Sequence, residues 1–566
     1  MTLVLIAIGL AALIAGLGGI LVARYNGRPA PAAFVVLASV AAPLLLLSLF
    51  VGGAGDVTDV LGSALLLAGL LGLVVLSSLP LLNRRDASTA SVAAGSIATA
   101  LTLALSIWLI VATGDGRSTL TILGFVFLLL GIVAAVIGAL WLVIQIIRRK
   151  ARPALAFVWS AVSLAIIGFV GVAVLSPSPA PVPEAFARST DLDRYLEDLT
   201  DSGGPPGISL VVVKDGTMVY NKAFGLADGP NGILATPDSI YHWFSVTKIP
   251  TAIAALQLVE QGVIGLDDEV SEYLPFFDVE YPSADSQPVT IAHLLNHSSG
   301  LPDDIPACLG CVHLEDEPAL NQTELLRDVK LPSYNTLLFE PGSKAVYTNV
   351  GYHTLGVVVE QASGLSYEEY VQRNILDPLG MDDTRFEYTS AMTPNAAVGA
   401  HPMADVQSIF FPLIEAPWPS EFVRDYDDGW AWFNRFLFDA NPPSGLIGPA
   451  PEMARLGTAL LNGGELDGAR ILSEETVEMM LTERHVTPGS SPQWGDFGRF
   501  EDWEQGLGFK VVNDGGRVHY AHGGGGAAFR AFMRLYPEEE LGIVILVNST
   551  NLDRQEMADA VADMDW

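Results

Sequence analysis

A serine and a lysine stand three residues apart in the sequence HWFSVTK, which covers residues 242–248. The run that follows, IPTAIAALQLVEQG, is typical of a helix, so Ser245 and Lys248 are predicted to share one face of its start. A serine hydroxyl is a poor nucleophile until a base takes its proton, and a desolvated lysine can be neutral enough to do so. The pair predicts nucleophilic catalysis, but four residues alone are a weak pattern that chance produces often.

A tyrosine and an asparagine stand two residues apart in GSKAVYTNVGY and are expected to point to the same side of an extended loop. Tyr347 beside a lysine ammonium is expected to have a lowered pKa and to pass a proton. The amide of Asn349 is suited to orient a substrate carbonyl.

Four glycines follow a histidine in HGGGG, His522–Gly526, within a segment that reads as a strand. Glycines weaken a strand, and their usual purpose there is a close approach of backbone to a ligand. A substrate lying along this edge would meet a backbone N–H directed at a developing oxyanion.

The composition divides the chain into a membrane part and an acidic part. Of 566 residues half are apolar, yet the formal net charge is -33, and residues 187–566 alone carry about -37. Residues 1–175 are predicted to form a six-span α-helical membrane domain, because six stretches without charged residues are each long enough to cross about 30 Å of hydrocarbon. The stretches are Thr2–Ala23, Ala32–Val51, Val60–Leu82, Ala90–Thr113, Leu120–Ile147 and Ala154–Leu175.

The basic residues between the spans predict the orientation. Eight lie in the first, third and fifth loops and only Arg117 lies in the second and fourth, so the odd loops are expected in the cytoplasm. The protein is therefore predicted to be a multi-pass protein of the cell membrane, in contact with lipid, with its second part on the extracytoplasmic side. Residues 176–186 are Pro-rich and read as an extended linker.

Residues 187–566 are predicted to form one α+β domain. Strand-like runs occur at both ends, as in GISLVVVKDG and LGIVILVNS, and helix-like runs at 249–262, 351–363 and 451–462 lie between them. This order predicts an antiparallel sheet shared by both ends, with helices flanking it and a helical region inserted. The acidic surface makes a nucleic-acid partner unexpected.

The acidic part resembles the serine β-lactamase and penicillin-binding-protein-like hydrolases, in particular the class C β-lactamase, D-aminopeptidase and esterase branch. The resemblance extends over nearly all of residues 190–550. It is carried by FSVTK, LDDEVSEYLP, TIAHLLNHSSGLP, EPGSKAVYTNVGYHTLGVVVEQASGLSYEEYVQRNILDPLGMDDT, SGLIGPAPEMARLGTALLNGGELDGARILSEET and HGGGGAAFRAFMRLYPEEELGIVILVN, in the order and spacing of that family.

The resemblance implies a β-lactamase/transpeptidase-like fold and a role for each motif residue. Ser245 would be the acylated nucleophile, and Lys248 and Tyr347 would exchange its proton. Asn349 would bind the substrate carbonyl, and the backbone N–H groups of Ser245 and Gly525 would form the oxyanion hole. No metal or other cofactor is implied.

One departure from the family pattern concerns substrate choice. True β-lactamases carry Lys-Thr-Gly where this chain has His522, Gly523 and Gly524. A permanent cation that would bind a substrate carboxylate is thereby replaced by a group largely neutral at pH 7, so esters, amides or small D-amino-acid peptides are expected rather than β-lactams.

Three classes of function stay open: an extracytoplasmic serine hydrolase, which is favoured; a membrane receptor that is acylated with little turnover; and a scaffold without activity. The binding partner of the protein is expected to be a small-molecule or peptide substrate. The oligomeric state is left open.

Several other histidines, cysteines and asparagines are interpreted without a catalytic role. His293 and His297 are expected to be structural. Cys308 and Cys311 favour a short disulfide over free thiols, and two cysteines cannot form a four-Cys zinc site. Asn296, Asn321 and Asn548 begin Asn-x-Ser/Thr triplets, which are weak indications of glycosylation.

Overall fold

The structure, a computed structural model, describes residues 182–303, 312–317, 320–402, 422–427, 430–482, 486–487, 503–526 and 528–566. The chain divides into two units, Met1–Ser176 and Pro177–Trp566, and all described residues belong to the second. The six predicted spans and both cysteines lie outside the described residues. Within those residues, no helix has the length and apolarity that crossing a membrane requires.

The described strands form one large sheet and four small ones. The strands of the large sheet are β1 (Gly207–Lys214), β2 (Thr217–Asp228), β3 (Ile233–Leu234), β13 (Trp503–Gln505), β14 (Lys510–Asp514), β15 (Arg517–Gly525), β16 (Arg530–Tyr536) and β17 (Leu541–Val547). The small sheets are built from β4 (Tyr241–His242), β5 (Val312–Leu314), β6 (Ala400–Pro402), β7 (Val423–Asp427), β8 (Trp430–Phe433), β9 (Phe436–Phe438), β10 (Ile447–Gly448), β11 (Glu465–Leu466) and β12 (Ala469–Arg470).

The described helices precede the sheet, follow it or lie in the long segment between β3 and β13. The α-helices are α1 (Ser189–Asp201), α2 (Lys248–Glu260), α3 (Val270–Tyr273), α4 (Ile291–Leu295), α5 (Gln322–Glu324), α6 (Leu331–Tyr334), α7 (Asn349–Ser363), α8 (Tyr367–Val371), α9 (Asn441–Ser444), α10 (Ala450–Leu461), α11 (Glu474–Thr482) and α12 (Arg554–Ala562). Short 3-10 turns cover Phe244–Thr247, Thr393–Asn395 and Pro537–Glu539, and π-helical turns cover Leu325–Lys330 and Gln372–Leu376.

The large sheet joins the two ends of the described chain, as the sequence predicts. Its strand order is β13-β14-β15-β16-β17-β1-β2-β3, and neighbouring strands are antiparallel. The pairing of β1 with β17 sets Ile208 opposite Val547. The α+β architecture with an antiparallel sheet and inserted helices is confirmed.

The sheet is covered on both faces, which explains its apolar strands. On the inner face, Val544 and Leu546 of β17 belong to a large core shared with α2, α7 and α10. On the outer face, Ile543 and Ile545 belong to a smaller core shared with α1 and α12. Because alternate side chains enter opposite cores, all seven residues of β17 are buried.

Helix α2 is buried on nearly every side, which its sequence KIPTAIAALQLVE allows. Small alanines let neighbouring elements approach closely, and Pro250 is tolerated because it lies in the first turn, where an N–H has no partner within the helix. A helix so enclosed holds its first residue, Lys248, away from water.

The asparagines of two glycosylation triplets have structural roles. Asn548 is buried, and its amide donates to the carbonyl oxygens of Leu226 and Val398. Asn296 is also buried, and its Oδ1 accepts a hydrogen bond from Ser298. Since a glycan needs an exposed amide, the folded domain offers neither residue as an acceptor.

Candidate active site

The sequence predicts that Ser245 lies at the start of the α-helix. In the structure it lies instead in the 3-10 turn Phe244–Thr247 that leads into α2. The preceding residue, Phe244, has a φ of 46°, a left-handed conformation that a bulky side chain rarely adopts. Its ring packs on His242 and Phe438, at centroid distances of 5.5 and 5.1 Å. Aromatic packing therefore holds the sharp bend that presents the serine.

The predicted pair of Ser245 and Lys248 is in contact. Lys248 has no exposed surface, and its Nζ lies 3.2 Å from the Oγ of Ser245. Nζ also donates to Asn349 Oδ1 at 2.7 Å and to the carbonyl oxygen of Pro443 at 3.0 Å. The oxygens of Asn349 and Pro443 can accept the two N–H groups of a neutral amine, which leaves its lone pair for the hydroxyl of Ser245.

Asn349 is held in place from its other side. It is the first residue of α7, and both its backbone N–H and its Nδ2 donate to Asp303 Oδ1, at 3.0 and 3.2 Å. The orientation in which Oδ1 faces Lys248 follows from these partners, because a carboxylate only accepts. The buried Asp303 therefore positions the amide that holds Lys248.

Tyr347 lies over the amine, and its hydroxyl faces His522. The Nζ of Lys248 is 4.8 Å from the centroid of the Tyr347 ring, and the Oη is 3.4 Å from His522 Nε2. The ring of His297 packs against that of Tyr347 at a centroid distance of 4.3 Å, and its Nδ1 accepts the N–H of Thr348 at 3.2 Å. His297, predicted to be structural, thus supports Tyr347 directly.

The electrostatics of Tyr347 differ from the sequence expectation. Burial raises the pKa of Tyr347 well above its ordinary value, and a hydrogen bond with Ser245 offsets only part of this. The expected lowering of its pKa was wrong, because the loss of water around the phenolate dominates and the nearby Asp303 carboxylate raises the pKa further. Tyr347 therefore keeps its proton at neutral pH.

His522 lies on the inner face of β15 and is neutral. Burial is the main cause that lowers the pKa of His522, to about 3. Its Nδ1 lies 2.7 Å from the carbonyl oxygen of Gly508. Since a carbonyl can only accept, we infer that Nδ1 carries the proton, so that Nε2 presents a lone pair toward the site.

The glycines after His522 permit contact between β15 and the turn of Ser245. A Cβ added to Gly524 would lie 2.0 Å from the carbonyl oxygen of Trp243 and 3.1 Å from the N of Ser245. A Cβ added to Gly526 would lie 2.4 Å from the Phe244 ring. The backbones of Gly524 and Ser245 thus meet without intervening side chains, while Gly523 and Gly525 face the outer side. All eight predicted site residues lie in three segments, which are 245–248, 347–349 and 522–525. Their catalytic roles stay predictions.

Three supporting groups of the site were not predicted from the sequence. Asp303 follows directly after the quoted motif TIAHLLNHSSGLP, so a motif one residue longer would have included it. The carbonyl of Pro443 is a backbone atom, which no residue type reveals, although the prolines of NPPS mark its helix α9. Arg554 of α12 donates to the carbonyl oxygen of Gly524 from the outer face, and nothing near it in sequence connects it to the glycines.

His293 is structural, as predicted. Its Nδ1 accepts the N–H of Thr290, and its own N–H donates to the Thr290 hydroxyl, which together cap α4. In the part of the chain that the structure describes, no cluster of three or more His, Cys, Asp or Glu side chains is arranged to bind a metal.

Comparisons with known proteins add to this geometry. Protein flp of Staphylococcus aureus (strain N315) is 31% identical over 209 residues, which are 37% of this chain and 40% of flp. The putative D-alanyl-D-alanine carboxypeptidase of Escherichia coli (strain K12) is 28% identical over 313 residues, 52% of this chain and 69% of that protein. The chain thus spans less than half the length of flp.

A solved structure has the same fold. The D-amino acid amidase from Ochrobactrum anthropi SV3, complexed with L-phenylalanine, aligns with a TM-score of 0.53 at 22% identity and covers 66% of this chain and 98% of the amidase. The family model described as Beta-lactamase matches residues 192–565. Because this match extends over more than half of the chain and includes every predicted site residue, the protein belongs to the β-lactamase family.

Proposed function

We propose that this protein is a membrane-anchored, extracytoplasmic serine hydrolase that forms an acyl-enzyme on Ser245. The observation that carries the proposal is the contact between Ser245 and a lysine without exposed surface, with 3.2 Å between Oγ and Nζ. Removal of an amine from water favours its neutral form, and a neutral amine at hydrogen-bond distance can take the serine proton.

Acylation then divides the proton transfer between two residues. Neutral Lys248 accepts the Oγ proton as Oγ bonds to the acyl carbon, and the carbonyl oxygen becomes an oxyanion facing the N–H groups of Ser245 and Gly525. Tyr347, which burial keeps protonated, gives its proton to the leaving group as that bond breaks. The Lys248 ammonium returns a proton to Tyr347, and both residues regain their starting states.

Deacylation uses the same groups with water in place of the leaving group. Water loses a proton to Lys248 as it attacks the acyl carbon, and the Lys248 ammonium returns a proton to the Ser245 oxygen as that oxygen departs. The products are a carboxylic acid and the unchanged enzyme. Asn349 keeps Lys248 in place throughout, through its 2.7 Å hydrogen bond.

The substrate class follows from His522. A neutral imidazole whose Nε2 lone pair faces the site repels a substrate carboxylate and accepts from a substrate N–H or O–H. We therefore assign the protein to esters, amides or small D-amino-acid peptides in preference to penicillin-like acids. The names of the amidase and carboxypeptidase relatives support this assignment.

Covalent labelling tests the nucleophile. The full chain in membranes should react with a fluorophosphonate probe and turn over p-nitrophenyl esters, and Ser245→Ala should lose both. The control is Ser283→Ala, which removes an exposed serine and should label as wild type does. Labelling of Ser245→Ala at the wild-type rate would refute the assignment.

Turnover separates the hydrolase from the alternative of an acylated receptor. A panel of esters, amides, D-peptides and β-lactams should be cleaved repeatedly, with product exceeding enzyme at least about a hundredfold within an hour at an ordinary turnover rate. Stoichiometric labelling with a single product burst would favour the receptor instead.

Protease accessibility tests the proposed location. A protease added to intact cells should release the domain that follows residue 176, because the basic loops predict that side to be outside. Release that requires cell lysis would reverse the proposed topology. A protease-sensitive cytoplasmic protein should stay intact in the same cells.

A further inference from the structure

Arg554 begins α12 and contacts β15 from the side opposite to Ser245. Its Nη1 donates to the carbonyl oxygen of Gly524, and to that of Ala531 at 2.7 Å. Gly524 and Ala531 are opposite each other in the pairing of β15 with β16. One guanidinium therefore fastens both strands directly behind the candidate site.

The contact with Gly524 reaches the proposed oxyanion hole through a single peptide group. In a trans peptide the carbonyl oxygen of one residue and the N–H of the next point in opposite directions, and no described peptide bond is cis. The carbonyl of Gly524 points to Arg554, so the N–H of Gly525 points away from Arg554. A charged donor on the carbonyl oxygen also polarises the peptide and makes its N–H a stronger donor.

The glycines contribute little to the rigidity of this peptide beyond its pairing with β16. A Gly-Gly peptide has no Cβ to restrict it, and glycine adopts more backbone conformations than any other residue. Larger residues are excluded at Gly524 by its contact with the turn of Ser245. The pairing with β16 holds the Gly524–Gly525 peptide in the sheet, and the hydrogen bond from Arg554 to its carbonyl oxygen adds a second constraint on its orientation.

We propose that Arg554 is a positioning residue for catalysis, which orients and polarises the Gly524–Gly525 peptide so that the Gly525 N–H stabilises the oxyanion. The proposal rests on the proposed function, because it requires an acyl transfer at Ser245. Arg554 touches no reacting atom, and its effect is confined to the transition state and to the acyl carbonyl.

The test compares Arg554→Met and Arg554→Lys with a matched control. Arg517→Met removes another guanidinium at the interface of β15 and α12, where Arg517 donates to the carbonyl oxygen of Ala562 at 3.0 Å and pairs with Glu539. Each full-length variant is assayed for kcat and KM with a p-nitrophenyl ester and for inhibition by an alkylboronic acid. The carbonyl stretch of a slowly hydrolysed acyl-enzyme is recorded by isotope-edited infrared spectroscopy.

Loss of a direct oxyanion donor lowers kcat about 100- to 1,000-fold, so loss of a group acting through the peptide is expected to lower it about tenfold. Arg554→Met should show this loss with KM changed less than about twofold, and boronate affinity should fall by the same factor. Its acyl carbonyl stretch should move to higher frequency. Arg554→Lys should recover part of the loss, and Arg517→Met should match wild type.

Wild-type kcat, boronate affinity and carbonyl stretch in Arg554→Met would overturn the proposal, as would equal losses in Arg517→Met. If Arg554→Met does not fold, Arg554→Lys decides, since a single ammonium cannot donate with the geometry of Nη1 and wild-type values would again refute the role. A wild-type protein that forms no acyl-enzyme would instead refute the proposed function, an outcome visible before any variant is compared.

Discussion

β15 and β17 flank the same strand, β16, and contribute to the sheet in different ways. All seven residues of β17, LGIVILV, are buried, and their side chains fill both cores. β15 ends in His522 and a run of glycines, which supply almost no side-chain burial and cost about 0.5 to 1 kcal/mol each relative to alanine. The difference indicates that the sheet obtains its stability at its centre and gives up stability where its backbone must meet the nucleophile.

The largest difference between the two strands is expected when a methyl group is added to a glycine of each. Gly524→Ala brings a Cβ to 2.0 Å from the carbonyl oxygen of Trp243, so the strand must move away from Ser245. We expect kcat/KM for a p-nitrophenyl ester to fall about 1,000-fold, the upper range for loss of an oxyanion donor.

The matched variant on β17 is Gly542→Ala, whose Cβ would meet no atom closer than 3.4 Å. It should keep wild-type kcat/KM and gain about 0.4 to 1 kcal/mol of stability, because the unfolded chain loses conformational freedom. Equal activity of the two variants would show that the glycines of β15 are not required for close approach.

Truncation of a β17 side chain should affect stability rather than chemistry. Ile545 is fully buried in the outer core, so Ile545→Ala should lower the free energy of unfolding by about 3 kcal/mol. Urea unfolding followed by tryptophan fluorescence measures the loss, and active-site titration should show unchanged kcat per folded molecule. A fall in kcat similar to that of Gly524→Ala would mean that β17 contributes to catalysis as well as to stability.

A cation at position 522 should change the substrate preference. His522→Lys offers a charge-assisted hydrogen bond to a substrate carboxylate, worth about 1.5 to 3 kcal/mol. The ratio of kcat/KM for benzylpenicillin to that for a neutral ester should therefore rise about tenfold or more. His522→Gln, which stays neutral, should leave the ratio near the wild-type value; an unchanged ratio in the lysine variant would show that residue 522 does not select the substrate.

The smallest expected effect concerns acid. Burial lowers the pKa of His519 on β15 to about 3, and the nearby Arg534 and Arg517 add to the shift. The unfolded chain, with a histidine pKa near 6.5, therefore binds more protons between these values, and stability falls as the pH decreases below about 6.5. Between pH 7.5 and 5.5, His519→Phe should lose about 1 kcal/mol less unfolding free energy than wild type; an equal loss in both proteins would contradict this.

The sequence predicted the elements of the sheet better than their surroundings. Runs such as GISLVVVK and LGIVILV are apolar and rich in β-branched residues, so β1 and β17 were identifiable, and their positions at both ends predicted a shared sheet. The helices predicted at 249–262 and 351–363 were also correct, but the expectation that Asn349 lies in an extended loop was wrong, because it begins α7 after the cap residue Thr348. The order of these strands and helices along the chain then gave the correct architecture.

The site was predictable where function depends on residue type and not where it depends on burial or backbone atoms. Ser245, Lys248 and Tyr347 form characteristic patterns, but the pKa direction of Tyr347 was wrong because the sequence does not show how much water reaches the hydroxyl. The left-handed φ of Phe244 has no sequence signal either, since glycine or asparagine is the usual residue there. The contact of Arg554 with Gly524 arises only from packing of α12 on the sheet.

The pairing of β1 with β17 also determines when during synthesis the protein can become active. The ribosome releases β1 and Ser245 hundreds of residues before β17, and a long-range pairing of this kind slows folding. Until β17 arrives, β1 has an unpaired apolar edge that other chains can join, so the nascent domain depends on protection from aggregation. A chain whose synthesis has stopped before β15 contains Ser245 but lacks the glycines of β15. We therefore expect it to have no hydrolase activity.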